Sequence, residues 1–133
     1  MASYLSFPLC VLLHLRACAW ADTVLIVSNP PTAVAIGIVV KRLFKKRVCF
    51  ILQDLYPDLA VHLGSIAGRS FFVRTMRRLN TVGFRVLDHI VVLGEDMRSY
   101  LLKHYQIDSH KLSLITNWGD MKRIVTLAKD NPW

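Results

Sequence analysis

Two carboxylates stand four residues apart across a proline, in Gln53-Asp54-Leu55-Tyr56-Pro57-Asp58. That spacing suits a general acid and base on one loop. The same residues also have a purely local use, in which Asp54 caps a turn and Asp58 starts a short helix. Other chemistry-bearing groups are scattered. His14, His62, His89, His104 and His110 share no ligand spacing, and Cys10, Cys18 and Cys49 form no CxxC pair. These thiols read as buried and free, as in a reducing compartment. No metal site and no cofactor are expected. Glycine-rich phosphate loops, GxSxG and HExxH are absent, and the first visible turn, Ser28-Asn29-Pro30-Pro31-Thr32, offers no run of backbone N–H groups to a pyrophosphate.

The elements that would position Asp54 follow from hydrophobic pattern. Thr23–Val27, Val48–Leu52, His89–Leu93 and Lys111–Ile115 are short, mostly apolar and rich in β-branched residues, as strands buried on both faces are. Between them lie a helix over 33–44 opened by Thr32, an amphipathic helix over 70–87 and a helix over 95–105. The last carries acids in its first turn and Lys103 and His104 in its last, matching the helix dipole. A further helix is expected over 3–19. Alternation of this kind predicts an α/β fold: a partial Rossmann-like parallel sheet of about four strands with helices on both faces. Residues 1–120 form the domain and 121–133 a polar linker. Ligands of such sheets sit outside the carboxyl ends of the strands. Four loops meet on that rim, and they hold Asn29, Asp54, Tyr56, Asp58, Glu95, Asn117 and Asp120.

Among the 133 residues, 53% are hydrophobic and Lys plus Arg exceed Asp plus Glu by eight, for a net charge of +8. A packed core is affordable and disorder is excluded. Both halves of the chain are basic, so there is no detachable basic arm, and the surplus points to an anionic partner. On the 70–87 helix, Phe72, Met76, Leu79, Gly83 and Val86 predict the buried face. Arg74, Arg77, Arg78, Thr81 and Arg85 predict the opposite one, which is either a solvated face or a contact for acidic lipid or a phosphate-bearing acceptor. Nucleic acid is not an expected partner, because the aromatics are not interleaved with the bases. A signal peptide is not expected either: no base precedes Leu5–Leu13, Pro8 interrupts it, and His14 and Arg16 follow. The uncharged run is also too short for a spanning helix.

Four strings occur together and in order: Val27-Ser-Asn-Pro-Pro-Thr32, Gln53-Asp-Leu-Tyr-Pro-Asp58 with Gly64 following, Asp88-His-Ile-Val-Val-Leu-Gly-Glu-Asp-Met-Arg-Ser-Tyr-Leu101, and Ile115-Thr-Asn-Trp-Gly-Asp120. Over nearly the whole chain this resembles the amino-terminal domain of family 4 glycosyltransferases, in the bacterial exopolysaccharide and lipopolysaccharide branch. The resemblance implies a GT-B enzyme in which this domain holds a saccharide or lipid-linked acceptor and a second domain holds the nucleotide-sugar. Transfer would be metal-independent and would retain anomeric configuration. It implies a cytoplasmic location, peripheral on the inner face of the plasma membrane. Asp54 matches the branch's Asp-Leu-Tyr-Pro string and falls on the acceptor and catalytic rim. Many relatives carry histidine where this chain has Gln53. Two departures are expected to matter: the family's opening strand and glycine-rich loop are missing, and the donor domain lies beyond Trp133. The chain alone is then expected to be inactive and prone to self-association. The alternative function is a non-catalytic module that binds acidic membrane or a partner protein through its arginine-rich helix.

Overall fold

The structure is a computed structural model, and it describes residues 10, 11 and 13–119. Strands β1 (Thr23–Val27), β2 (Arg47–Leu52), β3 (His89–Val92) and β4 (Leu112–Leu114) form one parallel sheet in the order β1-β2-β3-β4. The register pairs Ile26 with Phe50, Phe50 with Ile90 and Ile90 with Leu112. Helices α1 (Ala33–Val39), α2 (Asp58–His62), α3 (Phe71–Val86) and α4 (Glu95–Tyr105) connect and flank the strands. The expected α/β parallel sheet with its flanking helices is therefore present.

Each crossover steps the same way across the sheet, and right-handed crossovers in that order put their helices on one face. Core burial follows that rule. Val24, Ile26, Val48, Phe50, Leu52, Ile90, Val92 and Leu112 belong to one apolar cluster with Val34, Ile36, Phe84, Leu101 and Tyr105 from the helices. The alternate residues point the other way. On that second face Cys49 and Ile51 are half-buried, Val27 is 38% exposed and Leu25 is 62% exposed. Cover there is partial, and thinnest over the margin strand β1.

Local chemistry sets the helix ends. Ser70 caps α3 by accepting from the Val73 N–H. After α1 the helix widens into a π turn over Val40–Phe44 and stops at Lys45 in the left-handed conformation, φ 54°. Thr32, expected to cap α1, does not: its Oγ1 is buried with no partner among the described residues. The backbone takes over that role, with the Ala33 N–H donating to the Pro30 carbonyl. The helix expected over 3–19 is described only from residue 10, and over Leu15–Trp20 it is a 3-10 helix. The 121–133 linker lies outside the described residues.

The long helix is rotated from its expected face. Val73, Met76, Asn80, Gly83 and Phe84 are buried, whereas Phe72 is 51% exposed. Gly83 decides the approach of α3 to α1, because a Cβ there would lie 2.2 Å from Val34 Cγ2.

Candidate functional site

At the carboxyl ends of the strands, the loop after β1 is hydrogen-bonded to the loop after β2. Ser28, buried just after β1, accepts at Oγ from the Gln53 N–H (3.0 Å) and the Asp54 N–H (3.3 Å). Its own N–H donates to the Ile51 carbonyl. The next loop is held from the helix layer, where buried Asn80 of α3 donates from Nδ2 to the Tyr56 carbonyl at 2.6 Å. These bonds supply partners to buried backbone groups, which is why a loop of this polarity can sit against the core.

Asp58 opens α2 and ties three helices together. Its Oδ1 takes the Arg77 Nε–H at 2.8 Å, with Arg77 Nη2 at 2.7 Å, and the Tyr100 hydroxyl at 3.2 Å. Its Oδ2 takes the Tyr105 hydroxyl. The aspartate is 9% exposed, so its charge is matched by the guanidinium rather than by water. The partners respond. Arg77 is held above its ordinary range by its hydrogen bond to Asp58. Burial pushes both tyrosine hydroxyls up, and the Asp58 carboxylate adds to that, so both remain neutral donors.

Beside this knot lies an open cleft of about 450 Å³. Its polar lining is Asp54, Asp58, His62, Arg77, Asp96 and Tyr100; its apolar lining is Leu55, Leu59, Val61 and Met97. Asp58 and Arg77 are engaged with each other. Asp54, His62 and Asp96 are exposed and make no side-chain hydrogen bond among the described residues. Two carboxylates and an imidazole over an apolar floor suit a neutral, hydroxyl-rich ligand, whose O–H groups donate to carboxylate oxygens while its C–H faces lie on leucine and methionine. Among the described residues no group of three His, Cys, Asp or Glu side chains is placed to hold a metal ion.

The chain is similar to a probable glycosyltransferase, WbjE of Pseudomonas aeruginosa, at 26% identity over 110 residues. The match takes in 83% of this chain and 27% of that protein. The similarity supports a glycosyltransferase relationship. This chain spans about a quarter of its relative's length. No protein-family model matches the chain, and no solved structure matches it.

The residues singled out in the sequence divide into those the cleft gathers and those it does not. Asp54 and Asp58 line it, but Asp58 is spent on Arg77, Tyr100 and Tyr105. Tyr56 is half-buried, and its carbonyl is the acceptor for Asn80. Glu95 is exposed and paired with Arg98 at 3.2 Å. Asn29 and Asn117 are exposed on the same rim, just beyond β1 and β4. Those two strands are margins of the sheet, roughly 14 Å apart at the usual interstrand spacing. Asp120 lies outside the described residues. Of the four arginines of α3, Arg77 turns inward to Asp58, while Arg74, Arg78 and Arg85 are exposed. Sequence reasoning missed His62, Asp96 and Asn80. His62 follows Asp58 by four residues, one helical turn on, which was a usable signal for the same helix face. Asn80 carried none, because its partner is a backbone carbonyl 24 residues away.

Proposed function

We propose that these residues supply the acceptor side of a glycosyltransferase of family 4 and GT-B type, working in polysaccharide or glycolipid biosynthesis. The cleft beside Asp54 holds a saccharide, as a free or lipid-linked acceptor. The nucleotide-sugar is held by a second lobe outside these residues, and the chain alone transfers no sugar. What carries the reading is the cleft itself: Asp54, His62 and Asp96, unengaged among the described residues, line it together with an apolar floor at the carboxyl ends of the strands, in a chain similar to a probable glycosyltransferase. In this reading Asp54 accepts a hydroxyl proton or hydrogen bond from the acceptor. Asn29, Tyr56, Glu95, Asn117 and Asp120 belong to the wider acceptor rim, and Asp58 fixes the wall of the cleft. Work on a lipid-linked acceptor places the protein at the inner face of the plasma membrane, as a peripheral protein. Among the described residues no helix is long and apolar enough to cross a membrane.

The test is a nuclear magnetic resonance titration of the chain with a panel of alkyl glycosides and, separately, with nucleotide-sugars. Glycosides should shift the amides of Asp54, His62 and Asp96 at millimolar concentration, and Asp54→Ala should abolish the shifts. Nucleotide-sugars should leave those amides unmoved. Tight nucleotide-sugar binding, measurable turnover by this chain, or a full panel of glycosides without effect would overturn the proposal.

A further inference from the structure

The connection from α1 into β2 reads Lys41-Arg42-Leu43-Phe44-Lys45-Lys46-Arg47, five cations in seven residues. It contains most of the π turn Val40–Phe44 and the left-handed Lys45. Phe44 packs inward against the core, while Leu43 beside it is 73% exposed. Arg42, Lys45 and Arg47 are exposed and Lys46 is half-buried, and none of the four forms an ion pair among the described residues. Lys41 alone is matched there, by Asp88 at 2.6 Å. A second exposed apolar group stands at the same end. The 3-10 helix Leu15–Trp20 packs against the π turn, and Thr23, three residues beyond Trp20, is in register with Arg47. Trp20 is 93% exposed.

This end is the amino pole of the sheet. The cleft lies at the carboxyl ends of the strands, and the six residues of β2 separate the two by roughly 20 Å. The four unmatched cations therefore do not serve the cleft. A turn needs polar side chains, but like charges this close repel one another, and a surface that has only to stay dissolved carries both signs. Asp22, at the head of β1, is a single carboxylate and forms no ion pair among the described residues. A bilayer takes up an amphipathic helix lying in its plane, and a turn with two apolar side chains has no such face. Single-stranded nucleic acid stacks its bases on several aromatic platforms, and this end presents one. An exposed tryptophan among arginines is instead the composition of a protein-interface anchor, and carboxylates of the partner supply the counter-charge that the turn lacks.

We propose that the 41–47 connection, through Arg42, Lys45, Lys46 and Arg47 with Leu43 and Trp20, is a docking surface for an acidic segment of a partner protein, one with apolar side chains among its Asp and Glu residues. The surface does not depend on the glycosyl-transfer reading: peptide binding without glycoside binding would keep this proposal and remove the other, and the converse result would do the reverse.

The experiment is fluorescence anisotropy at physiological salt, with the purified chain and a labelled peptide of about 15 residues, mostly Glu and Asp with leucine and phenylalanine at its centre. The peptide should bind. Charge reversal in Arg42→Glu/Lys45→Glu/Arg47→Glu should weaken binding roughly a hundredfold, and Trp20→Ser/Leu43→Ser about tenfold. All five positions are exposed, and unchanged circular dichroism will show that the variants fold. A second peptide with serine in place of its apolar residues should bind the parent chain about tenfold more weakly, which tests the apolar anchor with the protein unaltered. The control carries the same change of net charge at the other pole: Arg69→Glu/Arg74→Glu/Arg78→Glu should bind the first peptide within about threefold of the parent. Absence of binding, undiminished binding by the charge-reversed turn, equal binding of the two peptides, or loss of binding in the control would each overturn the proposal. So would displacement of the peptide by an oligodeoxynucleotide or an anionic vesicle whose own binding requires Trp20 and Leu43, since the turn would then belong to that partner.

Discussion

Replacing Asp58 with asparagine tests whether this carboxylate holds the cleft together. The change keeps side-chain volume and one acceptor oxygen but deletes the charge and points an NH₂ group at donors. The Arg77 bond is charge-assisted, worth about 1.5–3 kcal/mol when dry. Arg77 is 41% exposed and water takes it back easily, so about 1 kcal/mol is the fairer figure. The Tyr105 side chain sits in a residue only 5% exposed. Stranding its hydroxyl costs about 1–3 kcal/mol. The Tyr100 bond is longer, at 3.2 Å, and adds little. Asp58→Asn is thus expected to cost about 2–4 kcal/mol, or roughly 10 °C in Tm for a chain of this size. Urea unfolding followed by circular dichroism gives the free energy. Tyr105→Phe alone should cost about 1 kcal/mol, because Arg77 still satisfies the carboxylate. The double variant should then fall short of the sum by about 1 kcal/mol or more. Asp54→Asn and Asp96→Asn, at exposed positions, should stay within about 0.5 kcal/mol of the parent. A cost for Asp58→Asn no larger than theirs, or strict additivity with Tyr105→Phe, would refute the idea that Asp58 is the tie between α2, α3 and α4.

Other outcomes follow from the same packing. Gly83→Ala puts a methyl 2.2 Å from Val34 Cγ2. Overpacking costs about 1–3 kcal/mol and the gain in helix propensity returns about 1, so the variant should lose about 1 kcal/mol, and Val34→Ala should relieve part of that loss in a double-mutant cycle read by urea unfolding. Asp88 lies below its ordinary value of 3.8: burial alone would raise it, but the Lys41 bond at 2.6 Å, the Val48 N–H and the Lys111 charge outweigh burial. Its contribution is present above about pH 4 and lost as pH falls through the folded-state value, so the urea midpoint should drop between about pH 5 and pH 3, and Asp88→Asn should flatten that drop. Leu25, 62% exposed on margin strand β1, has no charged neighbour within Thr23–Val27. Leu25→Lys should raise the concentration at which light scattering first detects association, with no loss of Tm.

The strands were legible because a short apolar run between turn residues has few other uses. Val48–Leu52 needs only its own composition to be read. Helix α3 was legible in extent but not in phase. Phe71, Phe72 and Val73 are three consecutive apolar residues, and periodicity alone cannot say which of them enters the core. Val34, across the gap at Gly83, decides in favour of Val73 and Phe84. Arg77 belonged by spacing to the arginine stripe, and only Asp58, 19 residues away, turns it inward. Thr32 had the composition of a cap without its geometry, since its backbone is already helical at φ −78°. Of the candidate site, the rim was legible from topology. The division between engaged and unengaged carboxylates was not, because it rests on tertiary partners that leave no mark at the level of spacing.

The four strands lie side by side in the order in which they are made. Loops that follow one another along the chain are therefore neighbours at the ligand-facing end, and the first braces the second through Ser28, which holds Gln53 and Asp54. A lengthened loop at one station should disturb the stations on either side and leave distant ones alone. Such a layout lets the mouth of the cleft be re-cut piecemeal, one connection at a time, while the buried layer beneath it is left as it was.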